Sequence, residues 1–376
     1  MALTRATCLG WAIMALCLAL VSGAAAPASA STAGSGPFCC RNAPPWRVFA
    51  GFMAGRYGGF ADVAAISRND AWAVGDTGFA NTGGIAVHWN GKIWRRVPMP
   101  LKRFVPVSVS ARPGSSAWVF GYQYEAGVDV NDFPAYGLQR VGSGWHVHRL
   151  PSARAEWDVL GDLQSAVIDN SDVWVTGNGS SRTGPTASIA WNWTGASWVR
   201  HPLHISGVRS ISASSSGNVW VAGQRSKGRT FALRWNGARW RRMRIPNLTD
   251  ASVVADSAHD VWLAGSVLRN TVEVGAVTRW NGKRWSARSQ IPIVQVPNSP
   301  ASTDLRGGLW FGMYAHETGG TWYVPTALPE GRRCQAGLGV GAVAAIPGTS
   351  AAWFAGTCGT SRPNRSIAMI ALDGRL

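Results

Sequence analysis

The chain is poor in acid. It carries 19 Asp and Glu against 36 Lys and Arg, a formal net charge of +17 over 376 residues, and only four of the basic residues are lysines. A positive field of this size favours acidic partners and electrostatic adsorption but carries no fold information. Long apolar runs are absent beyond the first thirty residues, where a membrane span would need about 20 consecutive apolar residues. No CxxC or HExxH spacing occurs, which excludes the common zinc arrangements. There is no GxSxG elbow, phosphate loop or calcium loop. Gly337-Leu338-Gly339-Val340-Gly341 has the glycines of a dinucleotide loop but precedes a strand pattern, so no helix N-terminus is there to hold a phosphate. No cofactor and no metal are expected. The high pI is compatible with nucleic acid, yet no stacking or groove-reading module accompanies it, so nucleic acid is not the expected partner.

The first thirty residues read as a targeting segment. Arg5 supplies the positive n-region, Leu9 to Val21 the apolar stretch, and Ala28-Ser29-Ala30 an A-x-A cleavage signal. Neither Cys8 nor Cys17 lies in a lipobox, so release is expected in preference to an uncleaved or lipid anchor. Residues 1–30 are assigned as signal peptide, 31–45 as a linker and 46–376 as one domain of a secreted, extracellular protein, with wall association as an option. Loss of Arg5 takes the net charge to +16.

What the chain has in abundance is tryptophan, 21 residues, and it is periodic. The repeating unit is a small apolar strand, an Asx-containing turn, Trp-x-x-Gly, a loop, an apolar strand, Trp-Asn-Gly, and a last Trp followed by basic residues and Pro. The clearest copy runs from Val63 through Asn69-Asp70, Trp72-Ala73-Val74-Gly75, Trp89-Asn90-Gly91 and Trp94 to Pro98. The first Trp recurs at 72, 118, 174, 220, 262, 310 and 353, and the second at 94, 145, 198, 240, 285 and 322. That spacing corresponds to one four-stranded blade per unit and predicts an all-β, seven-bladed propeller, with a six-bladed ring as the alternative. The sixth unit, Trp310-Phe311-Gly312-Met313, lacks the usual glycine spacing and is expected to be a short blade with a missing or irregular third strand.

The seventh unit has no second Trp, and the chain ends at Asp373-Gly374-Arg375-Leu376, where an outer strand is due. Pro45-Trp46-Arg47-Val48-Phe49 has the look of that strand, so residues 46–49 are predicted to complete the last blade and close the ring, removing an open sheet edge. Four cysteines follow the targeting segment. Cys39 and Cys40 precede the closing strand and are expected to pair with Cys334 and Cys358, in either order. A bridge closing so long a loop would contribute about 5 kcal/mol in the chain-entropy account.

Most conspicuous residues have structural readings. Asp70, Asp172, Asn218 and Asp260 look like Asx-turn formers. Asn90-Gly91, Asn236-Gly237 and Asn281-Gly282 read as two-residue hairpin turns that place Trp89 and Trp94 and their counterparts as diagonal neighbours. The tryptophans are assigned to the core. Arg95, Arg96, Arg149, Arg200, Arg241, Arg242, Arg244 and Arg288 follow the last Trp of their units and form a basic rim on the outermost strands. Charged outer edges prevent sheet-to-sheet pairing in any case. His146, His148 and His201 also fall on outer strands, away from any catalytic setting.

With these residues laid out, the pattern resembles secreted bacterial β-propellers of the tectonin and Asp-box (BNR) kind, in which a Trp-x-x-Gly-type strand and a later Gly-x-x-Trp strand recur once per blade. The likeness covers residues 46–376 and is architectural. No segment matches Ser-x-Asp-x-Gly-x-Thr-Trp, so the sialidase site of Asp-box enzymes has no counterpart positions here. The tectonin likeness implies binding of bacterial surface sugars.

One local anomaly remains. Six of the nineteen acids fall between 125 and 162: Glu125, Asp129, Asp132, Glu156, Asp158 and Asp162. Residues 122–136 connect strands two and three of the second blade, and 152–162 lead to the third; both emerge on one face of a propeller. They would bring these acids together with Tyr122, Tyr124, Phe133, Tyr136 and Trp157 as a sugar or cation site, or as paired carboxylates for glycoside hydrolysis. Surface decoration explains the same loops. The expected function is a monomeric, non-catalytic binding or scaffold propeller engaging anionic cell-wall polymer or glycan. The alternatives are a glycan-active hydrolase or lyase using those loops, and a protein–protein interaction module.

Overall fold

The computed structural model describes residues 40–43, 46–55, 58–78, 83–124, 133–151, 161–179, 187–205, 207–225, 229–294, 300–325, 336–359 and 366–374. Every regular element among them is a strand, and the strands form seven sheets, antiparallel but for one added strand in blade six. Blade one comprises Gly59–Ser67, Asp70–Asp76, Gly84–Trp89 and Trp94–Arg96. Blades two to six repeat that order, starting from Phe104–Ser110, Gly161–Asp169, Val208–Ser215, Thr249–Ser257 and Ala301–Thr303. Blade seven starts from Ala336–Ala345. First strands of successive blades touch, and that of blade seven touches that of blade one. The ring is closed.

Closure occurs at the seam read from the sequence. Arg47–Ala54 pairs antiparallel with Ser366–Asp373, Arg47 opposite Leu372 and Ala54 opposite Ser366. Cys40–Ala43, within the stretch read as linker, forms a further strand: it pairs in parallel with Thr321–Pro325 and gives blade six a fifth strand. Blade six is not missing its third strand. Ala315–Thr318 occupies that place, and the blade is short because its four own strands have only three to five residues each.

The recurring Trp-x-x-Gly has two separate causes. The glycine lies against a β-bulge in the neighbouring first strand, between Phe60 and Asp62 in blade one and between Val208 and Ser210 in blade four. The bulge brings backbone so close that a Cβ on Gly75 or Gly223 would collide with the carbonyl oxygen of Gly59 or Gly207. Blade six, which lacks this glycine spacing, has no such shift between its first two strands. The Trp packs across blades. Trp118 of blade two lies 6.0 Å from both Trp193 and Trp198 of blade three, and Trp174 lies 5.4 and 5.6 Å from Trp235 and Trp240 of blade four. Trp353 of blade seven lies 5.3 and 5.2 Å from Trp89 and Trp94 of blade one, so the same joint carries the closing seam. Trp46 stands where blade seven lacks its second Trp, 5.7 Å from Trp310 of blade six, with its indole N–H donating to the Met313 carbonyl at 3.0 Å. Each aromatic pair of this kind contributes about 1 kcal/mol beyond buried area.

Two local expectations are corrected. The Trp-Asn-Gly turns are four-residue loops, because Trp89 pairs directly with Trp94 and Trp235 with Trp240. Only the glycine has positive φ (Gly91 +86°, Gly237 +91°), while the Asn90 side chain accepts the N–H groups of Lys92 and Ile93. The Asx residues before the first Trp do not make the preceding turn. Ser67, Asp169 and Ser257, three residues earlier, accept the turn N–H groups of Asn69, Ser171 and His259. Asp70, Asp172 and Asp260 instead bond across the sheet to His88 (2.9 Å), Asn192 (2.6 Å) and Arg279 (2.6 and 2.7 Å). Asn218 accepts the indole N–H of Trp220.

Side chains from one innermost strand also serve the next. Backbone N–H groups of Val109, Val167, Val253 and Ala255 donate to Asp62, Ser110, Ser210 and Ser212 of the preceding blade. Asp62 accepts from the Ser108 hydroxyl as well, and Ser108 in turn meets Ser165 at 2.8 Å. Asp62 keeps some exposed area but is surrounded by protein, and that burial pushes its carboxyl up to about 6.

Candidate functional site

Of the acidic–aromatic pair of loops, only the roots lie within the described residues. Glu125, Asp129, Asp132, Glu156, Trp157 and Asp158 fall outside them. Tyr122, next to last in the second strand of blade two, packs toward blade three; burial, reinforced by the Asp162 carboxylate, raises its phenol well above the ordinary value. Tyr124 and Phe133 meet edge-to-face at 4.8 Å and clasp the two ends of the 122–136 loop. Tyr136 does not join them. It lies opposite Gly121, one register position from the Tyr122–Ala135 pair, and therefore projects from the other face, into the core shared with blade one.

The arginines of the rim lie where the repeat puts them. Arg95 and Arg96 are on the outer strand Trp94–Arg96, Arg200 on Trp198–Pro202, Arg241 and Arg242 on Trp240–Met243, with Arg244 just beyond; all are exposed. Arg96 is tied down, donating to the Met53 carbonyl at 2.9 Å.

At blade four the rim acquires depth. The outer strand Trp240–Met243 stays in register with Ala232 to Trp235, then leaves the sheet through Ile245 and Pro246. A proline cannot continue the ladder as a donor. The departing chain is pinned farther on, where the Thr230 N–H donates to the Leu248 carbonyl and Arg288 of blade five donates to the Asn247 carbonyl at 2.7 Å. Between these fixed points a groove of about 620 Å³ opens, with Arg229 on one wall and Arg242 and Arg244 on the other, and no acid lines it. Three guanidiniums around a concave surface can hold carboxylate, sulfate or phosphate groups by paired N–H donors. Arg229 escaped the sequence reading because it precedes the third strand and only the splaying of the fourth brings it close.

The histidines on the outer strands serve packing. His148 lies 4.9 Å from Trp118 and 4.6 Å from Trp193, and His201 lies 5.0 Å from Trp174 and 4.8 Å from Trp235; burial lowers the pKa of both. Cys358 is fully buried and disulfide-bonded, while Cys39 and Cys334 lie outside the described residues. Among the described residues no cluster of three metal-ligating side chains occurs.

No family model and no curated protein matches the chain. Solved structures do. The polysaccharide lyase Uly1 aligns over 88% of this chain and 90% of its own, at 9% identity and a TM-score of 0.52. A protein of unknown function from Dyadobacter fermentans covers 88% and 100% (12% identity, TM-score 0.49), and the six-bladed fungal lectin from Aleuria aurantia 87% and 97% (11% identity, TM-score 0.44). The likeness is one of fold: this chain is a β-propeller.

Proposed function

We propose that this is a secreted, non-catalytic binding propeller that engages anionic polymer or glycan at the cell exterior as a monomer. The observation that carries the reading is the arginine groove of blade four, an acid-free concavity continuous with a rim of exposed arginines on a chain of net charge +17. The export signal at residues 1–30 and the pairing of Cys39 and Cys40 with Cys334 and Cys358 belong to the same reading. Bridges there would lock the closing strand in an oxidising compartment. A protein partner would use the same rim.

The test is binding of the mature protein to wall fractions and a glycan panel across a salt series. Arg229→Ala with Arg242→Ala and Arg244→Ala is expected to weaken polyanion binding about tenfold at low salt and to flatten its salt dependence. Binding that persists at high salt and is lost with Tyr124→Ala or Trp157→Ala would shift the site to the loops of blades two and three. Release of reducing ends, abolished by Asp129→Asn or Asp158→Asn, would make the protein an enzyme.

A further inference from the structure

A second concavity differs from the arginine groove in the sign of its charge. It lies where the N-terminal strands meet blades six and seven, encloses about 260 Å³ and is lined by no Lys or Arg among the described residues. Its aromatic wall comes from Trp46 and Trp310 together with the partly exposed Tyr323. Met313 adds a polarisable thioether. One carboxylate, Asp373, completes it at the end of the strand that pairs with Arg47–Ala54. Burial raises the Asp373 carboxyl, opposed by the backbone N–H of Gly374, and no basic side chain among the described residues acts on it. His316 stacks on Trp310 at 3.8 Å and is held by Asp304 at 3.3 Å; burial lowers its pKa and the Asp304 carboxylate opposes that.

An acid with no basic partner among the described residues, set beside aromatic rings in a protein otherwise dominated by arginine, is a setting for a cation. Charge ranks ligands here: the face of an aromatic ring attracts a desolvated ammonium, and the Asp373 carboxylate gains an opposite charge. Anionic sugars and phosphates are disfavoured by the same two groups. We propose that this pocket binds a small organic cation, a quaternary or primary ammonium group of about the size of choline. The inference is independent of the arginine groove.

The pocket also shares walls with the seam that closes the ring. Asn42 and Ala43 belong to the strand that pairs in parallel with Thr321–Pro325, and both line the cavity. A ligand seated there binds only the form in which the N-terminal strand is docked, and so slows its release.

The experiment is calorimetric titration of the full-length secreted protein with choline and with its uncharged carbon isostere, 3,3-dimethylbutan-1-ol. Choline is expected to bind with a dissociation constant on the order of 1 mM and the isostere at least about tenfold more weakly. Asp373→Asn is expected to erase that difference, whereas Arg242→Ala leaves it intact. As a second measurement, saturating choline should slow amide exchange at Arg41 to Ala43 and at Tyr323 and Val324. Equal binding of choline and isostere, tighter binding of methyl glucoside than of either, or unchanged exchange in the N-terminal strand would each overturn the proposal. Loss of polyanion binding in the arginine variants bears on the other site alone.

Discussion

The outer edges of blades four and six are built from the same repeat and end up as chemical opposites. In blade four the last strand is a true edge: it is exposed, carries Arg241 and Arg242, and splays away to open a basic groove. In blade six that edge is covered by the parallel strand Cys40–Ala43, and the cavity beneath contains tryptophan, tyrosine and Asp373. An open edge must repel other strands, and charge does so. A covered edge is relieved of that demand and can be lined with rings and an acid. The chemical character of each concavity thus follows from whether the edge beside it is capped.

Three stability measurements would break or sharpen that contrast. The largest effect is expected at the capped seam. Trp46→Ala removes a buried indole, its contacts with Trp310 and Phe354 and its hydrogen bond to Met313, and is expected to cost about 3–5 kcal/mol in chemical denaturation. A loss below about 1 kcal/mol would mean that blade six holds without its cap.

The next effect concerns the innermost strands. Because Asp62 has a raised carboxyl in the folded state, the native protein holds this proton to a higher pH than the unfolded chain does. Its ionisation therefore lowers stability as pH climbs from the unfolded value near 3.8 to about 6, after which the contribution is constant. Asp62→Asn is expected to remove about 1–3 kcal/mol of that decline, read from denaturation midpoints at pH 4 and pH 7. An unchanged slope would place the carboxylate in bulk-like water.

The smallest effect lies on blade five, next to the capped blade. Arg279 grips Asp260 through two nitrogens and covers Trp262 at 4.7 Å, but its side chain is 42% exposed. Arg279→Met is expected to cost about 1 kcal/mol, reduced further by salt. A cost that salt leaves untouched would assign the effect to packing on the indole.

Much of this was readable in the residues. The blade count, the order of strands and the closing role of the segment after Pro45 all follow from spacing, because each tryptophan answers to a neighbour one blade away and each glycine to a bulge one strand away. The turn chemistry is not legible in the residues: Asn90 works through its side chain within its own turn, and Asp260 reaches Arg279, a contact that depends on which strand lies opposite. Tyr136 was grouped with Tyr122 because both flank one loop, and the alternation of a pleated sheet sends them to opposite faces.

The sequence by itself determined that the chain makes a closed ring of tryptophan-jointed blades with a basic outer surface, because periodic burial and charge are local properties that recur in every copy. Tertiary structure alone decided where that surface becomes concave, by letting blade four's last strand part from its neighbour and by laying Cys40–Ala43 over blade six. Arg229 and Arg244, or Trp46 and Asp373, are brought together by the path of the backbone through space, and no repeat pattern encodes a gap left between strands.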